Sequence, residues 1–328
     1  MRKLTLALLL VSALAAVARP GGSAGYAGAF LRNGIGARPL GMGGAYTAIA
    51  EGPEAIYYNP AGLGYSSRID FTSSYKTLSL DRHFGFIGVS FPIRNEATMA
   101  ASWVYAGISD VIGRGNSQQN LGEIGNSHNA FALSFSKVMH PMISLGANLR
   151  YVQERLDDLE SFTIGLDIGA LAKPHKNISV GFMVQNFGST YRWESSKYWT
   201  EGTSYDEKFP VVIKFGAAGY FLSNRLISSI DIESGDKGGA LFRAGAEYWF
   251  TRKVVRKVED EYEEGTFSDI EVNVRQAGLR IGLERGTPTF GLSLMREFGK
   301  VNFGFEYAFV IGRYGTTAGH LFTLNLEY

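Results

Sequence analysis

Polar and apolar residues alternate one by one along most of this chain. From His320 to Tyr328, the side chains of Phe322, Leu324, Leu326 and the terminal Tyr328 fall on one face, and Leu321, Thr323, Asn325 and Glu327 on the other. A two-residue period is that of a β-strand whose faces meet different media. Fourteen such segments follow one another, each near the roughly ten residues that a tilted membrane-crossing strand needs. They are Ser67 to Ser79, His83 to Ile93, Thr98 to Gly107, Ser127 to Val138, Met142 to Gln153, Ser161 to Lys173, Asn177 to Phe187 and Phe209 to Leu222, then Arg225 to Glu233, Ala240 to Phe250, Glu271 to Glu284, Thr287 to Glu297, Val301 to Gly312 and Gly319 to Tyr328. The expected fold is all-β: a transmembrane antiparallel barrel of about 14 strands, with both ends on the periplasmic side.

Parity assigns the faces. Phe162, Ile164, Leu166 and Ile168, then Ile178, Val180, Phe182 and Val184, then Val301, Phe303, Phe305, Tyr307 and Phe309 form outward, lipid-facing sets. The inward set includes Asp70, Lys76, Arg150, Asp167, Asp231, Glu233, Arg243, Glu247, Arg280, Glu284, Glu306 and Glu327. Mixed signs in a lumen point to bracing or to the cradle of a plug, whereas an ion filter needs one sign. Inward glycines such as Gly146, Gly165, Gly181, Gly245 and Gly282 leave room for an occupant.

The connections agree with a barrel. Asn95-Glu96, His140-Pro141, His175-Lys176, Ser223-Asn224 and Gly299-Lys300 are tight turns at one end, and the long stretches Ile108 to Asn126 and Gly188 to Lys208 both fall at the other. Arg252 to Asp269, basic and then acidic, lands on the turn side. It reads either as a slip in the frame or as an unusually long periplasmic hairpin; its carboxylates lack the spacing and central glycine of a calcium loop.

Arg2 and Lys3, the apolar run Leu4 to Leu14 and the small triplet Ala16-Val17-Ala18 have the order of an export signal, expected over 1–18. No other apolar run is long enough for a membrane helix. Without cysteine, disulfides and a lipid anchor on an N-terminal cysteine drop out, so a barrel would have to hold the protein in its membrane. A formal charge of +1 gives no electrostatic case for nucleic acid. The divisions expected are a signal over 1–18, a non-alternating segment over 19–66 and the barrel over 67–328.

Within the middle division, Gly34 to Pro53 reads as a small-residue helix with Pro39 in its first turn and Gly52-Pro53 as its stop. Asn59 can cap a short turn opened by Pro60. A nucleotide-binding reading of these glycines fails because no strand precedes them and Pro39 stands in place of the third glycine. The pair of motifs Gly36-Ala-Arg-Pro-Leu-Gly-Met-Gly-Gly-Ala45 and Ala55-Ile-Tyr-Tyr-Asn-Pro-Ala-Gly-Leu63 resembles the N-terminal hatch of FadL-type outer-membrane barrels, most closely the PorV/PorQ branch.

The resemblance implies a fourteen-stranded barrel with a luminal hatch, in which Gly41, Gly43, Gly44, Asn59, Pro60 and Ala61 would serve gating. In transport members a hydrophobic ligand moves toward the hatch; Met42, Ile56, Leu171 and Met183 are its possible lining here. PorV-like members instead receive or shuttle cargo proteins in type IX secretion, and a closed barrel without cargo is a third reading. Expected partners are outer-membrane lipids, the barrel-assembly machinery, for which Phe322, Leu324, Leu326 and Tyr328 form the insertion strand, and a hydrophobic small molecule or a secreted protein. No cofactor, metal or catalytic residue is expected: His83, His128, His140, His175 and His320 are scattered, with no serine elbow or zinc pair beside them. Trp103, Trp193, Trp199 and Trp249 are expected in interfacial girdles or in loop packing.

Overall fold

The computed structural model describes residues 25–328 apart from 80, 95, 109–110, 115, 118, 197–199, 237, 260–266 and 313–316. The export signal expected over 1–18, Trp199 and the centre of the charged segment 252–269 lie outside the described residues.

Eighteen strands are present among them: β1 Asp70–Thr77, β2 Arg82–Ile93, β3 Ala97–Ile108, β4 Ile112–Arg114, β5 Asn120–Glu123, β6 Asn126–His140, β7 Ile143–Leu156, β8 Leu159–His175, β9 Ile178–Phe187, β10 Thr190–Glu194, β11 Ser204–Lys208, β12 Val212–Phe221, β13 Leu226–Gly235, β14 Gly238–Glu259, β15 Phe267–Glu284, β16 Thr287–Phe298, β17 Val301–Val310 and β18 Gly319–Glu327. Fourteen close into one antiparallel barrel as β1 pairs with β18, and these are the fourteen alternating segments. The four others form two hairpins, β4–β5 and β10–β11, inside the long connections at one end. At three to five residues each, they are too short for alternation to mark them in the sequence.

Every strand turns one face out. Leu133, Phe162, Ile164, Leu279, Leu294 and Phe322 are exposed, while their neighbours Ala132, Thr163, Arg280, Ser293 and Leu321 are buried. Together the outward faces form a belt of Phe, Leu and Ile. Trp103 belongs to it, stacked on Phe131 with ring centroids 5.9 Å apart. Trp249 corrects the girdle expectation: it points inward and is fully buried, because odd positions of β14 face the lumen.

The charged segment is a hairpin and not a slip of frame. β14 and β15 remain paired from Arg243↔Glu284 to Glu259↔Phe267, with a bulge at Phe250/Thr251. Their neighbours stop earlier, β13 at Leu226↔Tyr248 and β16 at Ala277↔Leu294. The ribbon therefore runs on past the wall for roughly 25–30 Å at 3.3 Å per residue, on the end that holds the tight turns.

Residues 27–65 occupy the lumen, and most are buried. The long helix expected over Gly34 to Pro53 is not formed: α-helix is limited to Ala37–Gly41 and, later, Ala55–Tyr58, among the described residues. Gly43 and Gly44 have φ of +66° and +76°, left-handed values that glycine adopts freely and that end a right-handed helix. Asn59 does cap as its type suggests. Its Oδ1 accepts from the Ala61 amide at 3.2 Å, and Pro60 opens the 3-10 turn Pro60–Tyr65.

Candidate functional site in the barrel lumen

The inward glycines seat this segment. A Cβ on Gly282 would stand 2.1 Å from the Gly43 nitrogen, and one on Gly146 2.4 Å from the Pro60 carbonyl carbon. No side chain fits there, so backbone lies directly on wall. Asn59 pins the contact: its Nδ2 donates to Thr47 O at 2.9 Å and to Ala170 O on β8 at 3.0 Å. Facing it, Asn148 of β7 donates to Ile56 O at 2.6 Å.

The inward charges hold the other side. Arg38, only 6% exposed, donates from Nε to Glu247 Oε2 at 2.9 Å and from a terminal nitrogen to Glu247 Oε1 at 2.5 Å. It also meets the Tyr46 hydroxyl and the Glu51 carboxylate. Glu247 is shared with Arg280 at 2.9 Å, whose guanidinium lies 4.9 Å from the Trp249 ring centroid and reaches Glu306 at 3.3 Å. Asp231 Oδ2 accepts the backbone amides of Tyr46 and Thr47 at 3.0 and 2.9 Å. Nearer the loop end, Arg32 and Arg243 share Glu233 at 2.9 and 2.6 Å. Each carboxylate thus finds a donor, the condition for burying charge at tolerable cost. Arg38 was not singled out from the sequence; a lone arginine among small residues, facing a set of inward acids, was the available signal.

Two carboxyls of the segment show how uneven this is. Glu51 is half-exposed to solvent, and the Arg38 and Arg275 guanidinium groups beside it hold its carboxyl below the usual carboxylate range. Glu54 has no cation in contact among the described residues; burial first, and then the nearby Glu306 carboxylate, push it up to about 8. A Thr72 hydroxyl at 3.5 Å is its side-chain neighbour.

Both acids line a polar cavity of about 470 Å³ at the turn end, together with Arg38, Leu171, Lys173 and Arg275. Of the four possible lining residues, Leu171 alone reaches it. Met42 and Ile56 are packed in the main apolar cluster, and Met183 is fully buried on β9. They are not brought around one pocket. Gly41, Gly43, Gly44, Asn59, Pro60 and Ala61, by contrast, all lie along the contact between segment and wall.

The main apolar cluster, to which Met42 and Ile56 belong, extends away from this cavity. Toward the loop end, Phe84, Phe86, Val104, Ala130, Ala132 and Val152, from β2, β3, β6 and β7, form one wall. Ala27, Phe30, Leu31 and Ile35 of the segment cluster with them, and Tyr191 and Phe209 join from the β9–β12 connection. Phe30 stacks on His128 at 5.0 Å.

Solved structures share this arrangement of strands. The toluene transporter TodX of Pseudomonas putida matches with a TM-score of 0.54 at 13% identity over 90% of this chain and 96% of its own. A FadL homologue of Pseudomonas aeruginosa gives 0.53 at 11% over 90% and 98%, and the monoaromatic hydrocarbon channel CymD 0.52 at 12% over 90% and 96%. The fold is FadL-like. No protein-family model matches the chain, and no curated protein matches it in sequence. FadL-like barrels thus share this chain's strand plan at identities where side chains, and so ligands, are free to differ.

Proposed function

We propose that this FadL-like barrel sits in the outer membrane and passes hydrophobic small molecules, with residues 25–66 as a hatch whose displacement opens the route. The observation that carries it is the apolar wall of β2, β3, β6 and β7: a lumen built only for bracing has no use for Phe84, Phe86 and Val104, and the segment's own Phe30 and Leu31 cover them. The FadL-like structures named above as transporters and channels support the same reading.

The test exploits a chain without cysteine. The Ala37 amide donates to Thr323 Oγ1 at 2.9 Å, so Ala37→Cys with Thr323→Cys can staple hatch to wall. In proteoliposomes, toluene or a long-chain fatty acid is expected to cross through the reduced protein and to be blocked on oxidation. Flux that is equal in both states would refute gating by the hatch, and no flux above empty vesicles would refute transport.

A PorV-like role with secreted cargo is the second reading. It is favoured by the hairpins β4–β5 and β10–β11, which give the loop end more surface than closing the barrel requires. Deleting the β4–β5 hairpin, residues 112–123, should then weaken cargo binding and leave toluene flux intact.

A further inference from the structure

Where β15 leaves β16, the wall opens. The ladder between them ends at Ala277↔Leu294, yet β16 runs on to Phe298 and β15 begins at Phe267, so two strand edges face each other with no strand between them. The cleft holds about 190 Å³ and is lined by Arg252, Val274, Arg275, Gln276, Met295, Arg296 and Glu297. Its position is specific: Arg252 and Arg296 continue the outward parity of Phe250 and Leu294, both exposed in the apolar belt, just past the turn-end border of that belt.

Three guanidinium groups and one carboxylate meet here, and their engagements differ. Arg275 is committed to Glu51 at 2.8 Å and to the Trp249 ring at 4.8 Å. Glu297 has a partner of its own. The Arg252 and Arg296 side chains make no hydrogen bond, ion pair or ring contact with any described residue. Two unengaged arginines, the Gln276 amide and backbone amides freed by the splayed ladder surround a space of small-anion size. Planar guanidinium forks fit tetrahedral oxyanions, and phosphate above all.

We propose that this cleft binds a phosphate group, supplied by a phospholipid of the periplasmic leaflet or by free phosphate. The leaflet position rests on the outer-membrane reading above; the phosphate chemistry does not. A headgroup held there would lie against the base of the β14–β15 ribbon, one residue from Arg275 and so next to the ion pair that joins wall and hatch.

The experiment is native mass spectrometry of the full chain in detergent, with added phosphatidylglycerol in one arm and inorganic phosphate in the other. Wild type is expected to retain one phosphate-bearing adduct. Arg252→Gln with Arg296→Gln should weaken it about 25-fold, roughly fivefold for each arginine near a headgroup surface. Lys300→Gln, an exposed cation in the next turn, should change nothing. Retention of the phospholipid alone identifies a lipid site, and competition by inorganic phosphate a general anion site. Equal retention by the double variant, equal loss in Lys300→Gln, or no adduct in either arm overturns the proposal. Failure to insert into vesicles, with phosphate binding intact in detergent, would instead count against the membrane reading.

Discussion

Replacing Arg38 by Met should release the N-terminal segment without unfolding the barrel. The guanidinium is buried, donates twice to Glu247 and bonds the Tyr46 hydroxyl at 2.9 Å. Breaking a buried pair by removing one partner costs about 3–5 kcal/mol because the other charge is stranded. Here the stranding is partial: Glu247 keeps Arg280 at 2.9 Å, and Glu51 keeps Arg275 at 2.8 Å. Glu51 is also half-exposed to the polar cavity, so its bond to Arg38 is screened and adds little. The lower end, about 3 kcal/mol, is therefore expected, which corresponds to roughly a 150-fold rise in the open population. Methionine retains the stem's packing, so the loss is electrostatic. Hydrogen exchange reads it directly, since the Tyr46 and Thr47 amides are bound to Asp231 and should exchange about 150-fold faster while strand amides stay protected. Unchanged exchange at these amides would refute the bracing argument. Equal loss of protection in the strands would show that segment and wall are one cooperative unit and not a part seated in a frame.

Three further outcomes follow from the same contacts. Glu54 has a folded value raised to about 8 from an ordinary 4.5, so its stabilising contribution is complete below 4.5 and declines as pH rises to about 8; proteolysis of the segment should speed up between pH 5 and 8.5, and Glu54→Gln should flatten that profile. Gly282→Ala places a methyl 2.1 Å from the Gly43 nitrogen, and overpacking of this kind costs about 1–3 kcal/mol; faster exchange in residues 41–47 with unchanged heat-modifiable migration of the barrel would confirm it. Asn59→Ala leaves Thr47 O and Ala170 O without their donor, for about 1–3 kcal/mol, and Asn59→Asp should do no better because a carboxylate cannot donate; rescue by Asp would show that shape alone matters.

The barrel was legible because strands that turn one face to a packed lumen and the other outward keep their parity along the whole wall. β16, β17 and β18 differ from the expected Thr287 to Glu297, Val301 to Gly312 and Gly319 to Tyr328 by no more than two residues at either end. Parity fails as a guide where the medium changes. β14 and β15 keep pairing beyond Phe250 and Ala277, but there the ribbon has left the wall, Val255 is exposed, and along β14 the run Arg252-Lys253-Val254-Val255-Arg256-Lys257 no longer alternates. The N-terminal segment was hardest for a related reason. Its conformation is set by what it touches: Gly43 turns where Leu283 and Ala244 of the wall approach, and no local propensity announces that. The inward acids and arginines were legible as a cradle, but their partner Arg38 lay in a stretch whose glycines suggested helix packing instead.

The arrangement of the lumen bears on what any transport must involve. An apolar solute arriving at the loop end can rest against Phe84, Phe86 and Val104 once Phe30 and Leu31 give way. Between that wall and the cavity at the turn end lie Asn59 on the wall's backbone and the chain of Arg38, Glu247, Arg280 and Glu306. An uncharged solute cannot replace a single partner in that chain, so threading between the charges would strand at least one of them at several kcal/mol. Moving the segment as a body exposes the same charges to entering water, which solvates them. On the proposed transport reading, passage would therefore need residues 36–63 to move together, which is the motion that the Ala37–Thr323 staple tests.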